Sequence, residues 1–452
     1  MVTFKAQKKL FYIKRHFTRL SVLILLSFPA LVHYGCARGT NSETGLPEAV
    51  ISELATEIEH LVAEGISPSV QVAVISEEEI AWSHTFGQVA DSQQVYIIGS
   101  VQKVFDATAI LQLYEKGLVD LDADINTYLP FSVRHPDYPA TPITLRMIVS
   151  HRSGLSVFKH QFAWDTKCLG YPEYRSDCAE DLIGLSLGEF LKESVTFDGR
   201  NYSPDIWRAE PDKEYHYSVA GYHLLKYVIA RVSGQSYADY MRNNLFAPLH
   251  MDNAGFYVAG FEGQHALPHT YVDGEVIELP LWEGNGDFMR MTATDLAKFQ
   301  LAHLYDGSSR GFQMIKPETV ELMRTITTRR YSIFNRTSTL YDADCGLGIR
   351  RYAHGWMGLG GSVPGYLCIW RYNPDRHVGY AFLMNVNSIL MGGDNSGPVT
   401  ESYLTLKNTI ENRLAPTILF RGKIMFIGGL VIIIFAVTVL IRKRLQSGHN
   451  RV

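Results

Sequence analysis

The sequence predicts an α+β fold in which strands at both ends of the chain enclose a helical middle. Two observations carry this. Strand-like runs open the chain in "VQVAVISEEEIAWSHTFGQV" (Val70–Val89) and return late in "CGLGIRRY", "PGYLCIWRYN" and "VGYAFLMNV". Between them, apolar residues recur at spacings of three and four over several segments. Early strands, a helical middle and late strands imply a sheet layer completed by the far end of the chain.

The elements follow in order. Val50, Leu54, Ile58 and Leu61 mark a first helix, and the acidic turn inside Val70–Val89 makes that stretch a hairpin. "YIIGSVQKVFDATAILQLYEKGLV" (Tyr96–Val119) reads as an amphipathic helix with Ser100 at its start. "PITLRMIVSHRSGL" (Pro142–Leu155) reads as a helix ending in a glycine loop, and residues 156–212 as polar and irregular. "YHYSVAGYHLLKYVIARVSG" starts a second amphipathic helix. "MTATDLAKFQLAHLYDG" is a third, with Thr292 or Thr294 as its cap.

With 452 residues, 46% hydrophobic, 19% charged and a net charge of −4, the chain gives no reason to expect a nucleic-acid partner. No internal repeat is visible, and no cysteine or histidine cluster has zinc-like spacing. Neither a metal nor an organic cofactor is expected.

The ends predict a membrane setting. Residues 1–36 hold a basic region (Lys5, Lys8, Lys9, Lys14, Arg15 and Arg19) and an apolar core (Leu20–Val32), as in a secretory signal. Cys36 stands where a lipoprotein signal places its acylated cysteine, although His33 fits that pattern poorly. Cleavage, lipidation and retention as an anchor all stay open. Ile424–Ile441 is uncharged over 18 residues. At ~1.5 Å per residue it is long enough for a transmembrane helix. The basic run Arg442–Arg444 after it favours a cytoplasmic tail at 442–452. These signals place a domain at 45–410, joined by a linker at 411–423, on the periplasmic or extracellular side of the cell membrane. Of the five cysteines, Cys168 and Cys178 flank a Gly/Pro/Tyr-rich loop and are candidates for a bridge.

Ser100 and Lys103 stand three residues apart, on one side of a helix start. A serine hydroxyl is a weak nucleophile until a base takes its proton. A lysine serves as that base when dry, apolar surroundings such as Val101, Val104 and Phe105 favour its neutral form.

With these motifs on the page, the chain resembles the serine β-lactamase and penicillin-binding superfamily, in its class C and esterase-like branch, for which Ser-x-x-Lys is a signature. The resemblance covers roughly residues 48–400. It runs in order through "GSVQKVFDATAILQLYEKGLVDLDADINTYLP", "ITLRMIVSHRSGL", "YHYSVAGYHLLKYVIARVSGQSYADYM", "GDFMRMTATDLAKFQLAHL", "CGLGI" and "LGGSVPGY". It implies a β-lactamase/transpeptidase-like fold: an antiparallel sheet flanked by helices, a helical lobe, and an active site between them.

The resemblance also implies roles. Tyr217 matches the tyrosine of the family's Tyr-x-Asn triplet and would relay protons beside Lys103. Val219 stands where that triplet has asparagine, so Lys103 loses a polar partner. In the third motif, Leu359 occupies the position of a lysine or histidine, followed by Gly360 and Gly361, and the Ser362 N–H pairs with that of Ser100 as an oxyanion hole. Leucine cannot bind a substrate carboxylate, so a neutral ester or amide is expected rather than efficient β-lactam hydrolysis. His354 reads as an exposed loop residue and His151 as structural. Asn201 and Asn335 are glycosylation triplets by pattern alone. The expected function is a membrane-anchored, extracytoplasmic serine hydrolase forming an acyl-enzyme with a small-molecule or peptide acyl substrate. The alternative is an impaired member that binds cell-wall peptide or acyl ligands.

Overall fold

Strands from the two ends of the chain pair directly in one sheet. The computed structural model describes residues 46–87, 91–168, 180–272, 274–328, 344–387 and 397–414. The predicted hairpin is β1 (Ser69–Ser76) with β2 (Glu79–Gly87). Five late strands complete the layer: β3 (Asp344–Cys345), β4 (Arg350–Arg351), β5 (Met357–Val363), β6 (Tyr366–Asn373) and β7 (Val378–Met384). The order is β3-β4-β5-β6-β7-β1-β2. Val70 pairs with Met384 and Ser76 with Val378, so the first strand lies beside the last.

Strands β1, β6 and β7 are buried along their whole length because helices cover both faces of the sheet. Helix α1 is Glu48–Ala63. On one face, α6 (Ala293–Leu304) packs Phe299 near Trp370. Its predicted cap holds: Thr292 Oγ1 accepts from the Asp295 N–H at 3.0 Å. On the other face, α7 (Pro398–Leu414) sets Tyr403 against Phe382.

Helix α2 (Gln102–Glu115) differs from its sequence reading. Every residue from Gln102 to Leu113 is buried, so the helix is enclosed rather than amphipathic. Its polar side chains therefore need partners inside the protein. Gln112 donates to Met314 O at 2.9 Å, and Thr108 to Val104 O at 2.8 Å. Phe105 stacks on Phe299 at 3.7 Å between centroids, locking α2 against α6.

In the middle of the chain, α3 (Leu145–Val149) is capped by Thr144. The stretch read as irregular contains helices, among them α4 (Gln161–Thr166) and Leu187–Val195, the latter opened by a Ser186/Glu189 capping box. Trp164 stacks on Phe190 at 4.3 Å, so tertiary packing organises a segment of weak local pattern. Helix α5 (Val219–Ser233) starts at its Ser218 cap, whose Oγ accepts from the Gly221 N–H at 2.8 Å.

The expected fold class takes one correction. No helix among the described residues is long and apolar enough to cross a membrane. Helix α7, the last described element, carries Glu401, Lys407, Glu411 and Arg413, too many charges for a span. The segment assigned to the transmembrane helix, 424–441, lies outside the described residues, as do 1–36, 442–452, Cys178 and Asn335. Cys168 is disulfide-bonded. Asn201 is buried and donates to Lys159 O and Ser194 Oγ, which closes that triplet to a glycan in the folded chain.

Candidate active site

Ser100 sits in a 3-10 turn, Gly99–Val101, that feeds directly into α2. Gly99 has a φ of +54°, a backbone conformation that suits glycine. Strand β5 passes close by. A β-carbon on Gly99 would meet Ser362 N at 2.8 Å. The strand can run against the nucleophile's turn only because both sides lack side chains there.

The hydroxyl lies between two donors. Tyr217 O–H donates to Ser100 Oγ at 2.7 Å, and Lys103 Nζ at 3.4 Å. Lys103 is 8% exposed, and its amine stands 5.1 Å from the Tyr217 ring centre and 5.6 Å from that of Tyr222. The three groups that the sequence singled out thus converge. Burial pushes the Tyr217 phenol up, but Lys103, the Ser100 hydrogen bond and Arg350 together outweigh it, and the phenol lies below its ordinary value.

His151 supports this arrangement. Its backbone is left-handed (φ +59°), its Nδ1 accepts from the Ser218 N–H at 3.1 Å, and its ring lies 4.7 Å from that of Tyr217. Burial, with help from Arg350 and Lys103, holds it well below the usual histidine range, so it stays neutral. It fixes the segment carrying Tyr217 and touches neither Ser100 nor Lys103 by hydrogen bond.

Val219 and Ser362 line the cavity into which Ser100 and Lys103 open, with Phe162 and Phe288 as apolar walls. Leu359 and Gly360 do not line it. Leu359 is 6% exposed and belongs to the core, so its position offers no cation. The open side of Gly360 faces Tyr403 on α7. His354 is exposed, as expected. No group of metal-ligating side chains occurs among the described residues.

Three residues escaped the sequence reading. Arg350 on β4 donates to Tyr215 O–H at 3.0 Å and lies 5.4 Å over the Tyr217 ring, which places a cation beside the triad. Asp106 and Lys226 line the cavity behind Lys103. A signal existed for Asp106, since Ser100, Lys103 and Asp106 repeat at the same interval. Arg350 and Lys226 gave none, because only the tertiary fold brings them near.

A sheet closed by both chain ends, with Ser-x-x-Lys at the start of an enclosed helix and a tyrosine facing it, defines the serine β-lactamase and penicillin-binding superfamily. The chain belongs to the Beta-lactamase family, which it matches over residues 54–394. It is 30% identical over 218 residues to the putative penicillin-binding protein PbpX of Bacillus subtilis, covering 47% of this chain and 46% of that one. The match thus spans about half the length of that relative. Among solved structures, it resembles the octameric penicillin-binding protein homologue from Pyrococcus abyssi at 23% identity and a TM-score of 0.61, covering 79% of this chain and 77% of the other. It also resembles the D-amino acid amidase from Ochrobactrum anthropi SV3 at 21% identity and a TM-score of 0.61, covering 81% of this chain and 99% of the other. Both likenesses are in fold.

Proposed function

We propose that this chain is a serine hydrolase that transfers an acyl group from an ester or amide to Ser100 and then to water. One observation carries the reading: Ser100 Oγ is held between the Tyr217 phenol and the Lys103 amine at the edge of a cavity. With both neighbours donating, the hydroxyl cannot pass on its own proton. The Lys103–Tyr217 pair must first lose one proton, after which it accepts the proton of Ser100 as the oxygen attacks. The tetrahedral oxyanion is met by the backbone N–H groups of Ser100 and Ser362, each worth ~2.7–4 kcal/mol of barrier. The pair returns the proton to the leaving group, and water attacks the acyl-enzyme by the same route.

The buried Leu359 supports substrates without a carboxylate at that point. The fold shared with a D-amino acid amidase is compatible with an amide substrate. The disulfide at Cys168 supports an oxidising, extracytoplasmic setting. A second reading, a binder of cell-wall peptide or acyl ligands without turnover, draws on Val219 and Leu359. A fluorophosphonate probe separates the two. Labelling that disappears in Ser100→Ala supports the hydrolase. No labelling of folded wild-type protein overturns it in favour of the binder.

A further inference from the structure

Ser100, Lys103 and Asp106 follow one another at three-residue intervals into α2 and so lie along one side of it. The acyl-transfer scheme uses the first two only. Asp106 is 1% exposed. Lys226 arrives from α5 within the apolar run "HLLKYVIA" and is 6% exposed. Both line the same cavity as Ser100 and Lys103.

One phenol links them. Tyr237 O–H donates to Asp106 Oδ1 at 2.5 Å, and Lys226 Nζ lies 5.4 Å from the Tyr237 ring centre. Lys226 Nζ also donates to Gly286 O at 2.5 Å. Gln102 steadies the phenol from the other side, donating to Tyr237 O–H at 3.0 Å. A buried carboxylate and a buried ammonium are each costly to desolvate. Fold stability is therefore a poor account of these two groups, and their place behind the nucleophile is a better one.

The electrostatics have a direction. Burial pushes the Asp106 carboxyl up, and Lys226 is the strongest group opposing that, ahead of Tyr237 and Lys103. Burial pushes Lys226 down. Asp106, Asp287 and Asp165 oppose the fall, while Lys103 adds to it. Both lysines thus favour the charged form of Asp106, and Lys103 disfavours the charge on Lys226.

We propose that Asp106 and Lys226 are positioning residues, with Lys226 drawing the charge of Asp106 to itself and so letting the Lys103–Tyr217 pair shed the proton it must lose before it can activate Ser100. The inference rests on the acyl-transfer reading above. Without Lys226, the charge of Asp106 would fall undivided on the Lys103–Tyr217 pair and oppose the loss of its proton. Without Asp106, nothing would offset the repulsion between the lysines, and the pair would give up its proton sooner. The other titratable or charged groups facing this cluster include Tyr222 and His223 on α5, Asp165 on α4, Asp287, Lys167 and Tyr237 on the Lys226 side, and Arg350, Tyr215, Cys345 and His151 on the Tyr217 side. His223 is already engaged, its Nε2 lying 2.6 Å from Asp165 Oδ1. Asp106 is thus the acid closest in sequence to Lys103 on its own helix.

The test uses two single substitutions with opposite signs in the full chain, each checked for folding by near-UV circular dichroism. The rate of fluorophosphonate labelling is followed against pH. In parallel, 13C NMR of labelled lysine Cε and tyrosine Cζ reads the protons on Lys103 and Tyr217 directly, whether or not Ser100 reacts. In Lys226→Met the acid limb of labelling moves up by about one pH unit, giving about tenfold slower labelling below it. In Asp106→Asn the limb moves down by a similar amount. The NMR titration moves with it in each case. Because each variant carries its own sign, one folded variant suffices. Labelling in wild type with unmoved limbs and unmoved resonances overturns this inference and leaves the hydrolase standing. Shifted resonances in a protein whose Ser100 never labels sustain the proton coupling and overturn the hydrolase reading instead.

Discussion

Gly361 lies so close to the turn carrying Ser100 that a β-carbon there would stand 1.9 Å from the Ile98 carbonyl oxygen. The same carbon would be 3.2 Å from Ser100 N. Gly361→Ala must therefore push β5 away from the nucleophile and widen the gap between the Ser100 and Ser362 amides. We expect a loss of about 1–3 kcal/mol in stability from the forced shift. Labelling of Ser100 should fall by at least about 100-fold, the cost of one oxyanion donor. Thermal unfolding and probe labelling, run on the same sample, check both. Unchanged labelling would remove Ser362 from the oxyanion hole.

Tyr217→Phe removes a 2.7 Å hydrogen bond and half of the proton-accepting pair while keeping the ring over Lys103. Hydrolysis of a neutral aryl ester should drop about 100- to 10,000-fold in kcat, the range of general acid–base catalysis. KM should change little, because the phenol is spent on proton transfer. A matched rise in KM with kcat preserved would make Tyr217 a binding residue.

Val219 lines the cavity beside Lys103 without a polar group to offer. Val219→Asn gives the site an amide that can bond both the lysine and a substrate amide. The ratio of amide to ester turnover should rise by about tenfold, one good hydrogen bond. Steady-state kinetics on an acyl group presented as both its anilide and its aryl ester measure this. An unchanged ratio would mean that the substrate amide never reaches that wall.

Stability should fall below about pH 6.5, the ordinary histidine value. Burial, with help from Arg324, pushes His303 down to about 3. Thr108 Oγ1, already donating to Val104 O, accepts from His303 Nε2, an N–H present with or without the extra proton, so burial and Arg324 rather than this bond keep the ring neutral. Between these two values the unfolded chain binds a proton that the folded chain refuses. The stability contribution is therefore intact above pH 6.5 and is lost as the pH falls, by about 1.4 kcal/mol per pH unit for each such histidine. His151 adds to the effect in the same direction. Denaturant melts of wild type and His303→Gln across pH 4–7 test it. The variant should show the shallower slope.

The sequence carried the parts of this protein that local pattern encodes. The hairpin of β1 and β2, the Thr292 cap and the Ser100–Lys103 spacing are each properties of a few adjacent residues, and each appears in the structure. Tyr217 was legible only through likeness to a family, since one tyrosine among 25 has no local mark. What stayed hidden depends on enclosure. The α2 pattern looked one-sided because Gln102, Asp106, Thr108 and Gln112 are polar, yet each finds its partner in another part of the fold. Arg350 and Lys226 looked like ordinary strand and helix cations for the same reason.

The pairing of Val70 with Met384 has a consequence for synthesis. Until the ribosome has released nearly the entire polypeptide, β1 has a partner on one side only and presents a bare, apolar flank. During that interval the unpaired edge of β1 is open to pairing with another copy of the chain. Closure of distant segments is slow, and β5 neighbours the last strands to emerge. Chemical competence at Ser100 should therefore appear abruptly and late, as the final step of maturation.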